Sequence, residues 1–185
     1  GRIVSKDRIA LSDKDVQMVT NWPTPTCSKD VERFLGFVNY HRTFVQDFAE
    51  TAQPLYELTG KNPFHWEDRQ QRSFDFLRRA LAEPPTMALP NNDDPFILDT
   101  DASDTAIGAV LSQVQDGVEK VVAYGSFSLT PEQRKYCTTR KELLSIVRFT
   151  RQFKYYLLGR PFTVRTDHSS LTWLLRFKDP QGQLA

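Results

Sequence analysis

The chain has 185 residues, a formal net charge of +1, 39% hydrophobic residues and 25% charged residues, proportions that suit a soluble globular protein of one medium or two small domains. No apolar run approaches the roughly 20 residues that a transmembrane helix needs, and the first residues lack the layout of a signal peptide. Cys27 and Cys137 stand far apart without partner spacing. The sequence therefore excludes a disulfide framework and a cysteine zinc site, and it favours an intracellular location.

Basic residues are concentrated between Pro131 and Lys178, where lysines and arginines outnumber acidic residues by roughly eight. A cationic surface of this density favours a polyanion such as nucleic acid, because binding releases counterions from the phosphates. A solvated helix face explains the same charges equally well, so the charge alone leaves both readings open.

The first half of the chain, from Ser12 to about Met87, is patterned for helices. Ser12 is a helix N-cap followed by acidic residues, and the segment 22–26 with its two prolines breaks the chain. Ser28 can cap a second helix, and a third is expected from Glu67 to Ala82. The second helix carries one apolar stripe at helical spacing, interrupted by a single arginine: Val31, Phe34, Leu35, Val38, Arg42, Val45 and Phe48.

After a turn-rich linker at 89–95, the apolar period changes from helical to extended. Thr130-Pro131 then supplies an N-cap and a first-turn proline for a long helix. The pattern predicts strands at 96–101, 106–114 and 118–129, a helix at 130–158, a fourth strand at 162–167 and a helix at 168–175.

Three carboxylates are expected to meet in this second half. A helix between the third and fourth strands lets the fourth strand lie parallel beside the first, which puts Asp101 and Asp167 at the same edge of the sheet. Glu142 shares a helix stripe with Phe149 and Phe153, and a buried glutamate needs a cation beside it. Because all three ligands are oxygens, magnesium or manganese is favoured over zinc.

Each carboxylate also has a structural explanation when it is taken alone. Asp101 can be a turn residue at a strand end, with Asp99 as its equal, and Asp167 can cap the following helix. Glu142 can form an ion pair with Arg140, Lys141 or a strand arginine. The three histidines are scattered and form no ligand set.

Several motifs resemble the Pol polyprotein of gypsy-type long-terminal-repeat retrotransposons. The second half resembles the ribonuclease H domain of these elements, and the first half resembles the end of their reverse transcriptase, with its thumb and connecting segment. The motifs cover nearly the whole chain, in order, at residues 2–5, 22–25, 34–42, 54–55, 64–66, 97–103, 107–113, 122–124, 129–133, 141–147 and 165–174.

The resemblance implies a thumb and connection at 1–90 and an α/β ribonuclease H domain with a mixed sheet at 91–185, incomplete at its C-terminal end. It implies cleavage of the RNA strand of RNA–DNA hybrids with two Mg²⁺ or Mn²⁺ ions. The expected partners are the hybrid and the template–primer duplex, with polymerase fingers and palm upstream and an integrase downstream. The location would be a cytoplasmic particle or the nucleus, and the oligomeric state stays open.

Carried over residue by residue, the family's catalytic and metal-binding carboxylates fall on Asp101, Glu142 and Asp167. The family's fourth carboxylate lies in a later segment. We expect weak or no activity from residues 1–185 alone, because a strand and a helix that complete the core of the domain are missing. The thumb helix is expected to contact the duplex minor groove, and basic residues near the triad are expected to contact the phosphates. The candidates for nucleic-acid binding are Gly36, Asn39, Tyr40, Arg140, Lys141 and Arg165.

Two other interpretations compete with a catalytic ribonuclease H domain, and a few residues depart from the family pattern. One rival is a non-catalytic nucleic-acid-binding remnant of a domesticated element, disfavoured because all three carboxylates are present. The other is an integrase or transposase core of the same fold, disfavoured by the thumb sequence upstream. Arg2, Arg8 and the segment 125–128 differ from residues common in the family, and none of them touches the triad.

Overall fold

The computed structural model of the protein describes residues 1–6, 8–169 and 171. The first part is a helical unit that ends at Ala88. The Ser12 side chain accepts a hydrogen bond from the backbone of Asp15 and caps α1, as expected for this residue type. The elements of the helical unit are β1 (Arg2–Val4), β2 (Arg8–Leu11), α1 (Asp13–Thr20), α2 (Ser28–Tyr40), α3 (Phe48–Tyr56), α4 (Asp68–Ala82) and β3 (Met87–Ala88).

The stripe that predicted one long second helix is divided between two helices, so that expectation was wrong. Helix α2 ends at Tyr40, a short 3₁₀ turn follows at Arg42–Phe44, and Asp47 adopts a left-handed backbone with φ of 51° before α3 begins. Val45 and Phe48 are nevertheless buried with the α2 residues in the same core. The apolar spacing therefore survives the break because both pieces pack against one core.

A small sheet that the pattern did not predict joins the ends of the helical unit. Strand β1 pairs with β2, and β2 pairs with β3, all antiparallel, with Ile9 opposite Met87. The third helix of the prediction is confirmed as α4, whose first turn is held by a capping box between Glu67 and Gln70. None of the helices within the described ranges has the length and apolar character that crossing a bilayer requires.

The second part is a sheet unit, built on a four-stranded mixed sheet. Strands β4, β5 and β6 are antiparallel neighbours, and β7 lies parallel to β4 with Leu98 opposite Val164. This confirms the expected α/β order, with the fourth strand beside the first. The strand order is β6-β5-β4-β7, with bounds β4 (Phe96–Ala102), β5 (Ala106–Gln115), β6 (Val118–Ser128) and β7 (Phe162–Arg165).

The predicted long helix at 130–158 is present as three helical pieces. They are α5 (Pro131–Arg134), α6 (Thr138–Gln152) and α7 (Lys154–Leu157). The expected cap is observed, since Thr130 and Gln133 form a capping box with Pro131 in the first turn. Most of the expected helix at 168–175 lies outside the described residues.

The two units have separate apolar cores but are joined at β6. Helix α3 and the 3₁₀ turn pack against this strand. The buried backbone N–H of Ala49 donates to Ser126 Oγ at 2.8 Å, and the Arg42 guanidinium donates to the Ser126 carbonyl oxygen. We propose the domain boundary at residues 90/91, close to where the chain passes from one core to the other.

Candidate metal centre

Two strand ends and one helix bring the three predicted carboxylates together. Asp101 is the last residue but one of β4, Asp167 follows β7 by two residues, and Glu142 lies near the start of α6. Each residue offers a carboxylate oxygen, and these oxygens all lie within 4.8 Å of one another. Asp101 and Asp167 are exposed, whereas Glu142 is buried. The geometry is open to solvent on one side, and the roles of the three residues in binding and catalysis stay a prediction.

Glu142 carries the strongest evidence for a ligand. Its side chain is 3% exposed, and its Oε2 atom has no hydrogen-bond partner among the described residues. Burial, together with the neighbouring charges of Asp101 and Asp167, raises the pKa of Glu142 to about 7. A buried oxygen without a donor and two adjacent anions are the conditions that a bound cation would relieve.

The ion-pair explanation for Glu142 finds no support in the described part of the chain. Lys141, the nearest candidate in sequence, pairs with Asp104 at 2.8 Å, and its side chain is 7% exposed. Arg140 lies over the Tyr136 ring, with its guanidinium carbon 3.7 Å from the ring centroid. These cations therefore leave the Glu142 carboxylate without compensation.

Backbone contacts hold α6 in position over β4. The Ser145 hydroxyl lies 3.4 Å from the Asp101 carbonyl oxygen and 3.3 Å from that of Gly108, one turn after Glu142. The backbone N–H of Ala102 donates to Asp101 Oδ1 at 2.8 Å, which orients that carboxylate. The Ser145 hydroxyl thus holds α6 against β4 and β5, and the Ala102 backbone holds the Asp101 carboxylate.

The basic residues predicted to bind nucleic acid differ in whether a carboxylate neutralises their charge. The Arg165 guanidinium donates to both Asp99 and Glu119 at 2.6 Å, and these bonds raise its pKa. With Lys141 paired to Asp104, Arg140 is the one of these three predicted cations without a carboxylate partner among the described residues. We therefore expect Arg140 to contribute most to phosphate binding, because neutralised charges attract phosphates weakly.

The helical candidates share the solvent-facing side of α2, opposite its buried stripe. Gly36, Asn39 and Tyr40 are all exposed. Gly36 and Asn39 line a groove of about 380 Å³ that continues to Tyr56 on α3. The Tyr40 ring lies outside this groove, with the Arg2 guanidinium carbon 5.8 Å from its centroid. The structure therefore presents all three residues on a surface that a duplex could reach.

A fourth acidic side chain beside the centre was missed by the sequence reasoning. Asp47 Oδ1 lies 3.0 Å from where a Cβ atom on Gly108 would be, and Gly108 is opposite Asp101 in the sheet. Burial raises the pKa of Asp47, and the charge of Asp101 raises it further. The periodic stripe had placed Asp47 within one continuous helix, so nothing in the pattern separated it from other exposed helix residues.

The donor set fits a divalent cation that prefers oxygen. Three carboxylates supply only oxygen ligands, which suits magnesium or manganese and disfavours zinc. The unpartnered Oε2 atom of buried Glu142 independently indicates that a positive group belongs beside it. Asp101, Glu142 and Asp167 are the residues that would hold such an ion.

Residues 66–164 match the family model described as an RNase H-like domain found in reverse transcriptase. The retrovirus-related Pol polyproteins of transposons opus and 412 from Drosophila melanogaster are 38% and 36% identical over 95% of this chain, which covers 19% and 14% of those proteins. The corresponding polyprotein of transposon gypsy is 33% identical over 100% of the chain and is covered to 19%. The chain thus spans less than a fifth of the length of these relatives.

Solved structures have the same fold. The foamy viral protease-reverse transcriptase in complex with dsDNA superposes with a TM-score of 0.77 at 22% identity, covering 97% of this chain and 39% of that one. The same enzyme in complex with RNA/DNA hybrid gives 0.74 at 21% identity, covering 95% and 25%. With these matches, the chain belongs to the family of RNase H-like domains found in reverse transcriptases, as part of a retrotransposon Pol polyprotein.

Proposed function

We propose that the sheet unit hydrolyses the RNA strand of RNA–DNA hybrids in a reaction that depends on a divalent cation. The observation that carries the proposal is the unpartnered, buried Glu142 oxygen within 4.8 Å of carboxylate oxygens from Asp101 and Asp167. A connection-type remnant that keeps the fold without catalysis has no need for three converging carboxylates. Their repulsion costs free energy unless a bound ion compensates it.

The chain's own residues would prepare the site for this reaction. A divalent cation in the triad would activate water and stabilise the leaving oxygen, with two such ions expected by resemblance to the family. Asp101 is oriented by the Ala102 N–H and is exposed, so a scissile phosphate can approach it. Glu142, by the same resemblance, would lie near the 2′-hydroxyl that distinguishes RNA from DNA.

The helical unit would hold the template–primer duplex. The exposed residues Gly36, Asn39 and Tyr40 lie on one side of α2, where a helix can follow a duplex groove. The foamy viral enzyme, whose fold is the same, has been solved with dsDNA and with an RNA/DNA hybrid. This likeness supports nucleic-acid binding by the chain. Of Arg140, Lys141 and Arg165, Arg140 has no carboxylate partner among the described residues, so its charge is the most available to a phosphate. The remaining proposals are polymerase fingers and palm upstream, an integrase downstream, and an intracellular location in a particle or the nucleus.

The test is cleavage of a hybrid carrying a labelled RNA strand by the parent polyprotein, with magnesium present. Asp101→Asn removes one ligand charge with little change of shape, and we expect it to lower the cleavage rate by at least about 100-fold, as for loss of a metal ligand that stabilises the transition state by several kcal/mol. Chelation by EDTA should abolish cleavage, and a DNA–DNA duplex should resist it.

Asp116→Asn is the matched control. Asp116 lies at the tip of the β5–β6 turn, its side chain is 93% exposed, and its left-handed backbone suits asparagine. Its substitution should leave cleavage unchanged. Equal cleavage by Asp101→Asn and wild type would refute the proposal, and hybrid binding without any cleavage would favour the non-catalytic interpretation.

A further inference from the structure

A cleft that the metal centre does not use lies at the outer edge of the sheet unit. Strand β6 is the last strand of the sheet on that side among the described residues. Helix α3 and the 3₁₀ turn pack against this strand. We call the space between them and the end of β6 the β6-edge cleft. It measures about 280 Å³ and is lined by Arg42, Phe48, Ala49, Tyr56, Phe127 and Ser128.

Two guanidinium groups have no carboxylate partner in the part of the chain that is described: that of Arg42 lines the β6-edge cleft, and that of Arg148 contacts Phe127, which lines it. The Arg42 guanidinium is half-buried, lies 5.4 Å from the Phe48 ring centroid and donates to the Ser126 carbonyl oxygen. The Arg148 guanidinium lies 3.7 Å from the centroid of the Phe127 ring. By contrast, the Arg165 guanidinium is neutralised by the carboxylates of Asp99 and Glu119.

The charges of Arg42 and Arg148 act on each other. Burial lowers the pKa of Arg42; Tyr56 acts in the opposite direction, and the charge of Arg148 lowers the pKa again. The two positive charges are therefore close enough to repel each other. A phosphate between them would remove the repulsion, because guanidinium groups bind phosphate with charge-assisted hydrogen bonds.

Aromatic side chains next to these cations narrow the class of ligand. The Tyr56 side chain is 44% exposed and lines both the β6-edge cleft and the α2 groove that contains Gly36 and Asn39. Phe127 lines the same cleft beneath Arg148. Bases stack on aromatic rings only where they are not already stacked in a duplex, so arginines interleaved with aromatics suit a single strand.

We propose that the β6-edge cleft binds single-stranded nucleic acid, with a phosphate held by Arg42 and Arg148 and a base stacked on Tyr56. The choice of nucleic acid rests on the proposed function, whereas the phosphate site rests on the two unpaired guanidinium groups. The shared position of Tyr56 makes the cleft a continuation of the α2 groove. A strand that leaves a duplex at α2 would therefore pass along the edge of β6.

The test measures binding of a fluorescent single-stranded oligonucleotide to the 185-residue chain by anisotropy. EDTA is present so that no divalent cation binds to the carboxylate triad. Arg148→Gln is the main variant, because Arg148 is exposed and its loss leaves the contact with Ser126 intact. We expect it to weaken binding three- to tenfold and to reduce the slope of log affinity against log salt by about 0.7. Arg42→Gln should act in the same direction.

Arg33→Gln is the charge-matched control, since Arg33 lies outside the cleft with its side chain 75% exposed. It should change the affinity by less than about 1.5-fold, the effect expected of one distant charge at physiological salt. Equal effects of Arg148→Gln and Arg33→Gln on the affinity would overturn the proposal. It would also be overturned if Arg148→Gln weakened binding of an RNA–DNA hybrid as much as binding of the single strand. Saturation of the cleft by inorganic phosphate alone would identify a simple anion site and would also overturn it.

A second measurement tests the stacking directly. An oligonucleotide containing 5-iodouracil should crosslink under light to Tyr56 or Phe127, identified by mass spectrometry, and Tyr56→Leu should lower the yield severalfold. Crosslinks confined to other aromatic residues would contradict the proposed path. Neither measurement depends on metal or on hydrolysis. A negative result would therefore not count against the proposed ribonuclease activity, and an inactive ribonuclease site would not prevent either measurement.

Discussion

Glu142→Gln should stabilise the chain when no divalent cation is present. Glutamine keeps the shape of the side chain, removes the buried charge and offers an N–H donor to Asp101 and Asp167. The carboxylate oxygens lie within 4.8 Å of one another, so one pair of full charges repels by about 3.5 kcal/mol at an effective dielectric constant of 20 and by about 0.9 kcal/mol in water. Because Asp101 and Asp167 are exposed, we expect a gain of about 1–3 kcal/mol in the free energy of unfolding.

The assay is thermal unfolding in EDTA at pH 8, where Glu142 is charged. For a chain of this size, 1 kcal/mol corresponds to roughly 2–4 °C in Tm, so Glu142→Gln should melt about 2–12 °C above wild type. Asp116→Asn, which removes an exposed charge far from the triad, should change the free energy of unfolding by less than about 0.5 kcal/mol. An unchanged or lower Tm for Glu142→Gln would refute the electrostatic reasoning.

The same pKa shift sets the pH dependence. The folded-state pKa of Glu142 is raised from 4.5 to about 7, so the folded protein binds more protons than the unfolded chain between these values. Stability in EDTA should therefore fall as the pH rises from about 4.5 through 7, and this slope should flatten in Glu142→Gln. Added magnesium should raise the Tm of wild type and, at the same concentration, raise that of Glu142→Gln less.

Three further changes test other parts of the structure. Gly125→Ala would place a Cβ atom 2.7 Å from the Phe149 ring and should cost about 1–3 kcal/mol through overpacking, seen as a lower midpoint in urea unfolding. Ser126→Ala removes the acceptor of a buried backbone N–H of α3 and should cost about 1–3 kcal/mol, with faster amide exchange in α3. Asp47→Asn keeps the left-handed backbone but removes a charge near Asp101, and it should weaken Mn²⁺ affinity about two- to fivefold.

Local chemistry explains which elements could be predicted from the sequence. Asp116-Gly117 forms a two-residue turn with φ of 55° and 76°, as expected where both positions need a left-handed backbone. Thr130 caps α5 through hydrogen bonds that span only three residues. The parallel placement of β7 beside β4 followed from the connecting helix. These features depend on short spacings that the sequence displays.

Features that depend on contacts between distant segments could not be predicted. Strand β3 has two residues, and its partner β2 lies more than seventy positions earlier, so no local sequence pattern predicts it. The break before α3 was hidden because Val45 and Phe48 keep the spacing of the α2 stripe while packing on the same core. The partners of Arg165 lie on two other strands, and only the folded sheet brings them together.

The candidate centre was predictable because burial and charge conflict at one position. A glutamate between apolar helix residues signals a compensating group, and the structure leaves Glu142 Oε2 without one among the described residues. Nothing comparable marks Asp47, whose closeness to Asp101 arises from the packing of the helical unit against β5 and β6.

Titration of the 185-residue chain with Mn²⁺, followed by calorimetry, tests most directly the claim that Asp101, Glu142 and Asp167 form a cation site. We expect saturable binding by wild type and by Asp116→Asn, and an affinity at least about tenfold lower for Glu142→Gln and Asp101→Asn, which corresponds to a loss of about 1.4 kcal/mol or more. Equal affinities for wild type and Glu142→Gln would contradict that claim.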